Sequence, residues 1–308
     1  SELTLLDLLF SQHSKAPSSW AHRKWINRLL VNAFINTHTG SEALWDDLYE
    51  WADHEVLICA KVAESFPKNY YAWTHRVFVM KVLKDRWSSN NEEQSDSSSI
   101  NCRLYMRLSK ELDFVETWVK RHVSDHCAIH YGSEIMRIMV LMRRCKDSQA
   151  KDFDKTNIFE ALNVVSSCLS WIKDLLAMFP CHEVIWRYRR QCALLFLETI
   201  CYGFCNPNIS NDQLFRNSLC EFLKYEASIP EDEIKIRNLD NTDTHASIVL
   251  ARSHTFWVVL HMKRLGVLHH LAAVGCDDTL SATQRCQELL KEDDLIVHNF
   301  WKKSYPLI

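Results

Sequence analysis

Apolar residues recur at every third or fourth position along most of this chain, which is the spacing of one face of an α-helix. The pattern is clear over residues 42–66 and returns over 111–122, 170–179 and 214–227. Short polar connections separate these segments from further segments of the same kind. The pattern therefore predicts five helical hairpins.

The connection at Pro67 is the most clearly marked. A proline pushes the residue before it out of the α-helical region, so the first helix of this hairpin is predicted to end at Phe66. The letters KNYY then form the turn, and the second helix is predicted to begin near Ala72.

A repeat links this connection to a second one at Pro180. In both places a Phe precedes the proline, a Trp follows it by six positions and an Arg follows it by nine. Aligning the rest of the chain on this pair gives further copies, 53 to 63 residues apart. In chain order the pairs are Trp20 with Arg23, Trp73 with Arg76, Ile129 with Gly132, Trp186 with Arg189, and Val249 with Arg252.

Stacking of these repeats predicts the fold. Each hairpin leaves one apolar face uncovered, and the next hairpin covers it. We therefore predict an all-α protein, a curved superhelix or crescent of stacked antiparallel helical hairpins, forming a single domain over residues 1–308. Residues 88–99 have no apolar side chain and are predicted to be an exposed, mobile insertion, and 230–245 is a second polar stretch.

The composition agrees with a helical protein. The chain has 5 Gly and 6 Pro, where average usage would give roughly 20 and 15 at this length. A sheet protein needs many tight turns built from these residues, so their scarcity argues against one. The 11 Trp are large rigid side chains suited to filling contacts between helices.

Charge and cysteine usage exclude several classes of protein. A formal net charge of −3 gives no electrostatic case for nucleic acid or an anionic membrane. Twelve Cys without a CxxC pair are typical of reduced thiols, which predicts a cytoplasmic protein. No apolar run approaches ~18 residues and no signal-peptide core opens the chain, so we expect no membrane span.

Three histidines have the spacing of a metal site. His122, His126 and His130 lie four positions apart and would share one face of a continuous helix. The repeat alignment places a helix break between His122 and His126, so no metal site is predicted in this chain. No HExxH, P-loop or GxSxG motif occurs.

The Trp and Arg of each repeat are predicted to hold the hairpins together. They lie three positions apart and so share a helix face. The Trp fills the groove between hairpins, and the Arg guanidinium donates paired hydrogen bonds to carboxylates or helix-end carbonyls of the adjoining hairpin. This role is predicted for Trp20, Arg23, Trp73, Arg76, Trp186, Arg189 and Arg252.

The repeat resembles that of protein prenyltransferase α subunits. PKNYYAWTHR at 67–76 is a near-complete match to the family pattern, and ELDFV at 111–115 looks like the family's helix opening. The resemblance covers roughly residues 15–260. It implies a crescent of paired helices wrapped around a β subunit that holds the catalytic zinc and the geranylgeranyl diphosphate, with no cofactor in this chain.

The function implied is that of an α subunit in a heterodimeric geranylgeranyltransferase of type III, which uses the Rab-type β subunit. Such an enzyme moves geranylgeranyl from its diphosphate to a C-terminal cysteine. The implied acceptors are a SNARE with paired cysteines and an F-box leucine-rich-repeat protein. The α subunit would be catalytically silent alone, and its repeat Trp and Arg residues would serve the β-subunit interface second to packing.

The same resemblance assigns candidate site residues. Lys68 matches the family's Lys at the active-site mouth near the diphosphate, and Tyr70 matches a Tyr that hydrogen-bonds there. Asn69 is a substrate-side candidate, although an Asn at this place also suits a helix cap. His126 and Cys127 stand where the next repeat of the family has Tyr and His. The residues alone also allow Lys68 to be an ordinary exposed turn residue and Tyr70 a packed ring.

A rival from another class is a non-catalytic helical-repeat scaffold for protein–protein interaction. A scaffold gives no reason to keep Lys68 and Tyr70 in one repeat while losing the same letters elsewhere, and this difference favours the enzyme subunit.

Overall fold

The computed structural model describes residues 2–38, 42–91, 98–145, 155–205, 207–210, 212–237 and 244–267, together with residue 284. Regular structure in these segments is helical throughout. The helices are α1 Glu2–Phe10, α2 Pro17–Thr37, α3 Glu42–Ser65, α4 Tyr70–Asn91, α5 Ser98–Arg121, α6 His126–Cys145, α7 Lys155–Met178, α8 Glu183–Phe204, α9 Pro207–Ser210, α10 Gln213–Arg237 and α11 Thr244–Arg264. The predicted all-α fold of paired helices is confirmed, and the crescent into which the pairs are expected to stack stays a prediction.

The chain divides into two compact units, residues 1–139 and 140–308, with the border inside α6. The single domain expected over 1–308 stays a prediction.

Unit 1 is built on the α3–α4 hairpin, against which α2 packs. Aromatic rings fill the contacts between its helices. The Trp73 ring of α4 meets the Trp118 ring of α5 edge-on at 5.3 Å and lies 5.5 Å from the Tyr131 ring of α6. Phe10 of α1 stacks on Trp20 of α2 at 4.1 Å. Large rigid side chains therefore set the spacing of the helices, as the Trp content predicts.

Unit 2 is built on the α7–α8 hairpin and the α10–α11 hairpin, with α11 packing on α8. Helix α8 is the centre of this unit, because both its Trp186 and its Phe196 are buried. Phe196 stacks on Phe222 of α10 at 4.3 Å, and Trp186 lies 5.6 Å from the His254 ring of α11.

Helix α7 is the one helix of the described segments that is long and apolar enough to cross a membrane. Half of its most apolar stretch, of mean hydropathy 1.2, is buried inside the fold. Core helices of this kind pass the same test of length and composition, so the finding is weak evidence for a span.

The helices differ from the predicted bounds in several places. Helix α4 begins at Tyr70, two residues before Ala72, because Asn69 caps it. Helices α4 and α5 extend into the predicted insertion from both sides, and its centre, 92–97, lies outside the described residues. Helix α10 continues to Arg237, and 238–243 of the second polar stretch are likewise outside them. Leu214, the first residue of the apolar pattern predicted over 214–227, is 64% exposed.

Gly203 in α8 marks a close approach between helices of unit 2. A methyl group at its Cβ position would lie 2.5 Å from Cζ and 2.6 Å from Cε2 of Phe215 in α10. The Phe215 ring is fully buried, so it has no free space into which to move. The absence of a side chain at Gly203 is what lets α10 pack this closely.

We expect Gly203→Ala to destabilise the protein by about 1–3 kcal/mol through overpacking. An Ala in place of Gly inside an open helix would instead stabilise it by about 1 kcal/mol, so the sign of the change is diagnostic. Urea unfolding followed by circular dichroism measures it, and a gain in stability would show that the Phe215 ring gives way.

Candidate functional site

The corner between α3 and α4, residues Pro67–Tyr70, is organised by one buried amide. Asn69 is fully buried, and its side-chain oxygen accepts hydrogen bonds from the backbone N–H groups of Tyr71 and Ala72 at 3.1 and 3.3 Å. Its amide nitrogen donates to the backbone oxygen of Ser14 at 3.1 Å. Asn69 therefore caps α4 and ties this corner to the preceding one, and it is not available to a substrate.

The two residues on either side of this cap face solvent. Lys68 is exposed and has a φ of 58°, the left-handed region. It is the one residue other than glycine with positive φ among the described segments. Tyr70 is 60% exposed, and its ring meets that of Tyr71 edge-on at 5.6 Å. The corner thus presents an ammonium group and a phenol on a rigid, buried support.

The next corner of unit 1, between α5 and α6, has the same construction with different residues. Asp125 takes the place of Asn69, since its carboxylate accepts from the N–H groups of Cys127 and Ala128 at 3.0 and 3.3 Å. It also accepts from the Trp118 indole at 3.1 Å. His126 is exposed at the start of α6. A helix cap is therefore preserved in both corners although the letters differ.

The two corners lie side by side. At their junction Glu64 of α3 pairs with Arg121 and His122 at the end of α5, at 3.7 and 3.8 Å. Burial, and then the Asp125 carboxylate, raise the pKa of the Cys127 thiol to about 11, although the Lys68 ammonium acts in the opposite direction. Cys127 is therefore a neutral thiol at physiological pH and is not a nucleophile.

The predicted break between His122 and His126 is present, because α5 ends at Arg121 and α6 begins at His126. The His122 ring packs against Trp118 at 4.4 Å, while His126 and His130 are exposed on α6. In the described segments no three His, Cys, Asp or Glu side chains are grouped so that they could hold a metal ion.

In two of the repeats the indole of the Trp bonds to the corner that precedes its helix. The Trp186 indole N–H donates to the backbone oxygen of Pro180 at 2.9 Å. Trp20 makes the equivalent bond to Ser14, also six residues earlier, at 2.8 Å. The bond accounts for the spacing of six at Pro180, since one turn of helix plus the corner brings the indole to that carbonyl. It does not account for the same spacing at Pro67, because the buried Trp73 indole N–H has no hydrogen-bond partner among the described residues.

The Arg of each intact repeat is buried against a carboxylate of a neighbouring helix. Arg23 forks to Glu55 of α3, with Nε to Oε2 at 2.8 Å and Nη2 to Oε1 at 2.7 Å. Arg76 of α4 binds Glu111 of α5 at 2.7 Å. In unit 2, Arg189 of α8 binds Glu226 of α10 at 2.5 Å.

A third side chain from another helix completes each group. His75 of α4 hydrogen-bonds Glu55 at 2.7 Å, and Tyr131 of α6 donates to Glu111 at 2.5 Å. His254 of α11 bonds Glu226 at 2.6 Å. We call these Arg–Glu–His or Arg–Glu–Tyr groups the buried triads. In each triad the three side chains come from three different helices.

The carboxylates and their His or Tyr partners were not predicted from the sequence, although the Arg residues were. Each Glu follows its Arg by 32 to 37 positions, and this recurrence is the signal that could have found them. The divergent repeat has Gly132 in the Arg position, so α6 cannot supply the cation of a further triad. Arg252, the last of the predicted set, is half-buried on α11.

The two triads that contain a histidine, those of Glu55 and Glu226, hold charged carboxylates and neutral imidazoles. Burial alone would raise the pKa of Glu55, but hydrogen bonds from His75 and Arg23, together with the charge of Arg23, outweigh it and lower that pKa to about 2. Burial lowers the pKa of His75 and likewise that of His254. The buried ion pair in each case is therefore Arg with Glu, and the neutral imidazole donates one hydrogen bond to it.

Residues 52–83 match the protein prenyltransferase alpha subunit repeat. The chain is similar to protein prenyltransferase alpha subunit repeat-containing protein 1-B of Xenopus laevis, with 25% identity over 215 residues. It is also similar to the human protein prenyltransferase alpha subunit repeat-containing protein 1, with 22% identity over 214 residues. The matches cover 62% of this chain in both cases, and 46% and 49% of the relatives.

The chain thus spans about half the length of the curated relatives it matches. The matched repeat contains the corner with Lys68, Asn69 and Tyr70 and the first triad's Glu55 and His75. The resemblance expected from the sequence is confirmed, and it relates the paired helices of this chain to those of prenyltransferase α subunits.

We expect Glu55→Ala to lower the free energy of unfolding by about 3–5 kcal/mol, because it leaves the fully buried Arg23 charge without its main partner. The matched control is Asp46→Ala, which removes the partner of the exposed Arg103 and should change stability by under about 1 kcal/mol. Urea unfolding measures both. Equal effects of the two substitutions would contradict the importance of burial.

Stability should fall as the pH drops below about 6.5. The pKa values of His75 and His254 are lowered in the folded chain. Below that pH these two histidines therefore bind protons in the unfolded chain but not in the folded chain. The slope is at most about 1.4 kcal/mol per pH unit for each histidine. Urea unfolding between pH 5.5 and 7.5 should show a smaller slope for His75→Gln, and an unchanged slope would argue against a neutral buried imidazole.

Proposed function

We propose that the chain is the α subunit of a heterodimeric protein geranylgeranyltransferase, which transfers geranylgeranyl from its diphosphate to a C-terminal cysteine of an acceptor protein. The observation that carries this proposal is the corner of the matched repeat. It presents Lys68 and Tyr70 to solvent while Asn69 between them is locked into the fold.

The backbone of Lys68 supports a role for its side chain. A left-handed conformation costs an ordinary residue roughly 1–2 kcal/mol, and glycine adopts it without that cost. A lysine at such a position in a tight corner gains nothing for stability. Strain of this kind is common where a side chain must be held for function.

The chemistry proposed for the corner is stabilisation of the leaving group. The thiolate of the acceptor cysteine attacks C1 of the isoprenoid. The bond between C1 and the diphosphate oxygen breaks, which places new negative charge on the diphosphate. The Lys68 ammonium, held in advance at the end of α3, offsets that charge, and the exposed Tyr70 hydroxyl donates a hydrogen bond to the same anion. His126 on the neighbouring corner lies on the acceptor side of this arrangement.

We assign the catalytic zinc to the partner β subunit, where it supplies the acceptor cysteine as a thiolate. The described residues of this chain offer no group of three ligands for such an ion. With Cys127 buried as a neutral thiol, this corner adds no competing nucleophile.

The proposed partners follow from the resemblance. They are a Rab-type β subunit and acceptors with C-terminal cysteines, namely a SNARE with paired cysteines and an F-box leucine-rich-repeat protein, all in the cytoplasm. The repeat Trp and Arg residues other than the half-buried Arg252 are buried within the chain's own hairpins. Their contribution to a β-subunit interface would therefore be indirect, through the helix faces they position.

Co-expression with a Rab-type β subunit tests the proposal through lipid transfer to a C-terminal cysteine acceptor. We expect Lys68→Ala to assemble normally and to lower turnover tenfold or more, because one charge at the leaving group is lost. The control Lys110→Ala removes an exposed lysine of α5 and should leave turnover unchanged.

Lys68→Gly separates the roles of side chain and backbone. It should lose activity as Lys68→Ala does, while stability stays level or rises by up to about 1 kcal/mol. If the complex stays fully active with Lys68→Ala, Lys68 is an ordinary exposed turn residue with no role in catalysis. Failure to assemble with any prenyltransferase β subunit would favour the scaffold.

A further inference from the structure

A second surface of unit 1 combines basic and apolar side chains. It consists of Lys24, Trp25, Arg28 and Leu29 on α2 and Lys81 on α4, and we call it the α2–α4 patch. Trp25 is 53% exposed and Leu29 is 49% exposed. Trp and Arg are both enriched among the residues that contribute most of the binding energy at protein interfaces.

Two cations of this patch share one aromatic ring. The Lys24 Nζ lies 4.8 Å and the Arg28 Cζ 5.7 Å from the centroid of the Phe78 ring of α4. The negative face of the ring offsets part of their repulsion. Like charges four positions apart on a helix are nevertheless destabilising, and the nearby Lys81 adds a third positive charge.

Two of these three cations, Lys24 and Arg28, lack acidic partners within the described segments. Lys81 pairs with Glu134 of α6 at 2.6 Å, but Lys24 and Arg28 make no ion pair there. Burial, then the charges of Arg28 and Lys81, lower the pKa of Lys24. Like charges held this close weaken the fold, so the arrangement is better suited to an anionic partner than to the free protein.

The preceding residue shows that the chain can neutralise a cation when it needs to. Arg23 is next to Lys24 in the sequence but faces the other way, where Asp7 and Glu55 bind its guanidinium. The absence of such carboxylates around Lys24 and Arg28, in the described part of the chain, leaves their pairing to another molecule.

We infer that the α2–α4 patch binds an acidic segment of a partner protein, whose carboxylates pair with Lys24 and Arg28 and whose apolar side chains cover Trp25 and Leu29. Three cations on a chain of net charge −3 are too few for a nucleic-acid stripe. They are also fewer than the cluster of four to eight that anionic lipid recognition uses. This site goes beyond the proposed function, because it does not depend on the Lys68 corner.

Binding of a defined acidic probe tests the inference. The probe is a fluorescein-labelled synthetic helix of about 20 residues with Glu on one face and Leu on the other, and its control has Gln in place of each Glu. Fluorescence anisotropy with the full chain should show tighter binding of the Glu peptide. The double variant Lys24→Glu, Arg28→Glu should weaken that binding about tenfold or more.

Matched variants distinguish the patch from overall charge. Lys61→Glu with Lys110→Glu changes net charge by the same amount on exposed positions of α3 and α5 and should keep the affinity. Trp25→Ala should weaken binding without changing its salt dependence. Arg28→Glu alone should leave the melting temperature level or raised, since it removes a repulsion.

Several outcomes would overturn the inference. The first is equal affinity for the Glu and Gln peptides. The second is a loss of affinity in the charge-matched control as large as in the Lys24→Glu, Arg28→Glu variant. The third is a lower melting temperature for Arg28→Glu. Patch-dependent binding to phosphatidylserine vesicles or to oligo-dT, with none to the Glu peptide, would overturn it in favour of a lipid or nucleic-acid ligand.

Discussion

The buried pair between an Arg of one hairpin and a Glu of the next is the interaction on which this fold depends. Arg23 is fully buried with Glu55, and Arg76 and Glu111 are buried together one hairpin later. A buried pair adds little net stability over apolar side chains of similar volume, but leaving one member unpaired is strongly unfavourable. The pair therefore acts as a register device, because only one alignment of neighbouring hairpins brings each guanidinium to its carboxylate.

The exposed corner depends on that register. Asn69 reaches back to the Ser14 oxygen, and the Trp20 indole donates to the same oxygen from α2. This three-way contact forms only when α2 and α4 are aligned as the Arg23–Glu55–His75 triad aligns them. The strained backbone of Lys68 is adjacent to this contact, so the buried charges in the hairpin interior set where its ammonium points.

The helices and the repeat positions could be predicted from the sequence because they depend on local signals. Apolar spacing gave the hairpins, and Pro67 gave the end of α3 to within one residue. The partners of the Arg residues depend on contacts 32 to 37 positions apart, which no local pattern marks, so Glu55, Glu111 and Glu226 were missed. The sequence allows Asn69 to be either a helix cap or a substrate contact, and its burial decides for the cap. The roles of Lys68 and Tyr70 stay predictions, since exposure shows that they can meet a ligand and not which one.

Two adjacent residues of helix α2 have different roles: one stabilises the fold, and the other is available to a partner. Arg23 and Lys24 are consecutive, and a helix turns by about 100° between them. The first guanidinium is enclosed by carboxylates of α1 and α3, and the second cation lies over Phe78 at the edge of solvent. A cation inside must be neutralised by the chain itself, because desolvation is costly. A cation at the edge can remain unpaired at small cost, since water still screens it. The distribution of carboxylates around α2 therefore distinguishes the charges that belong to the fold from those left for another molecule.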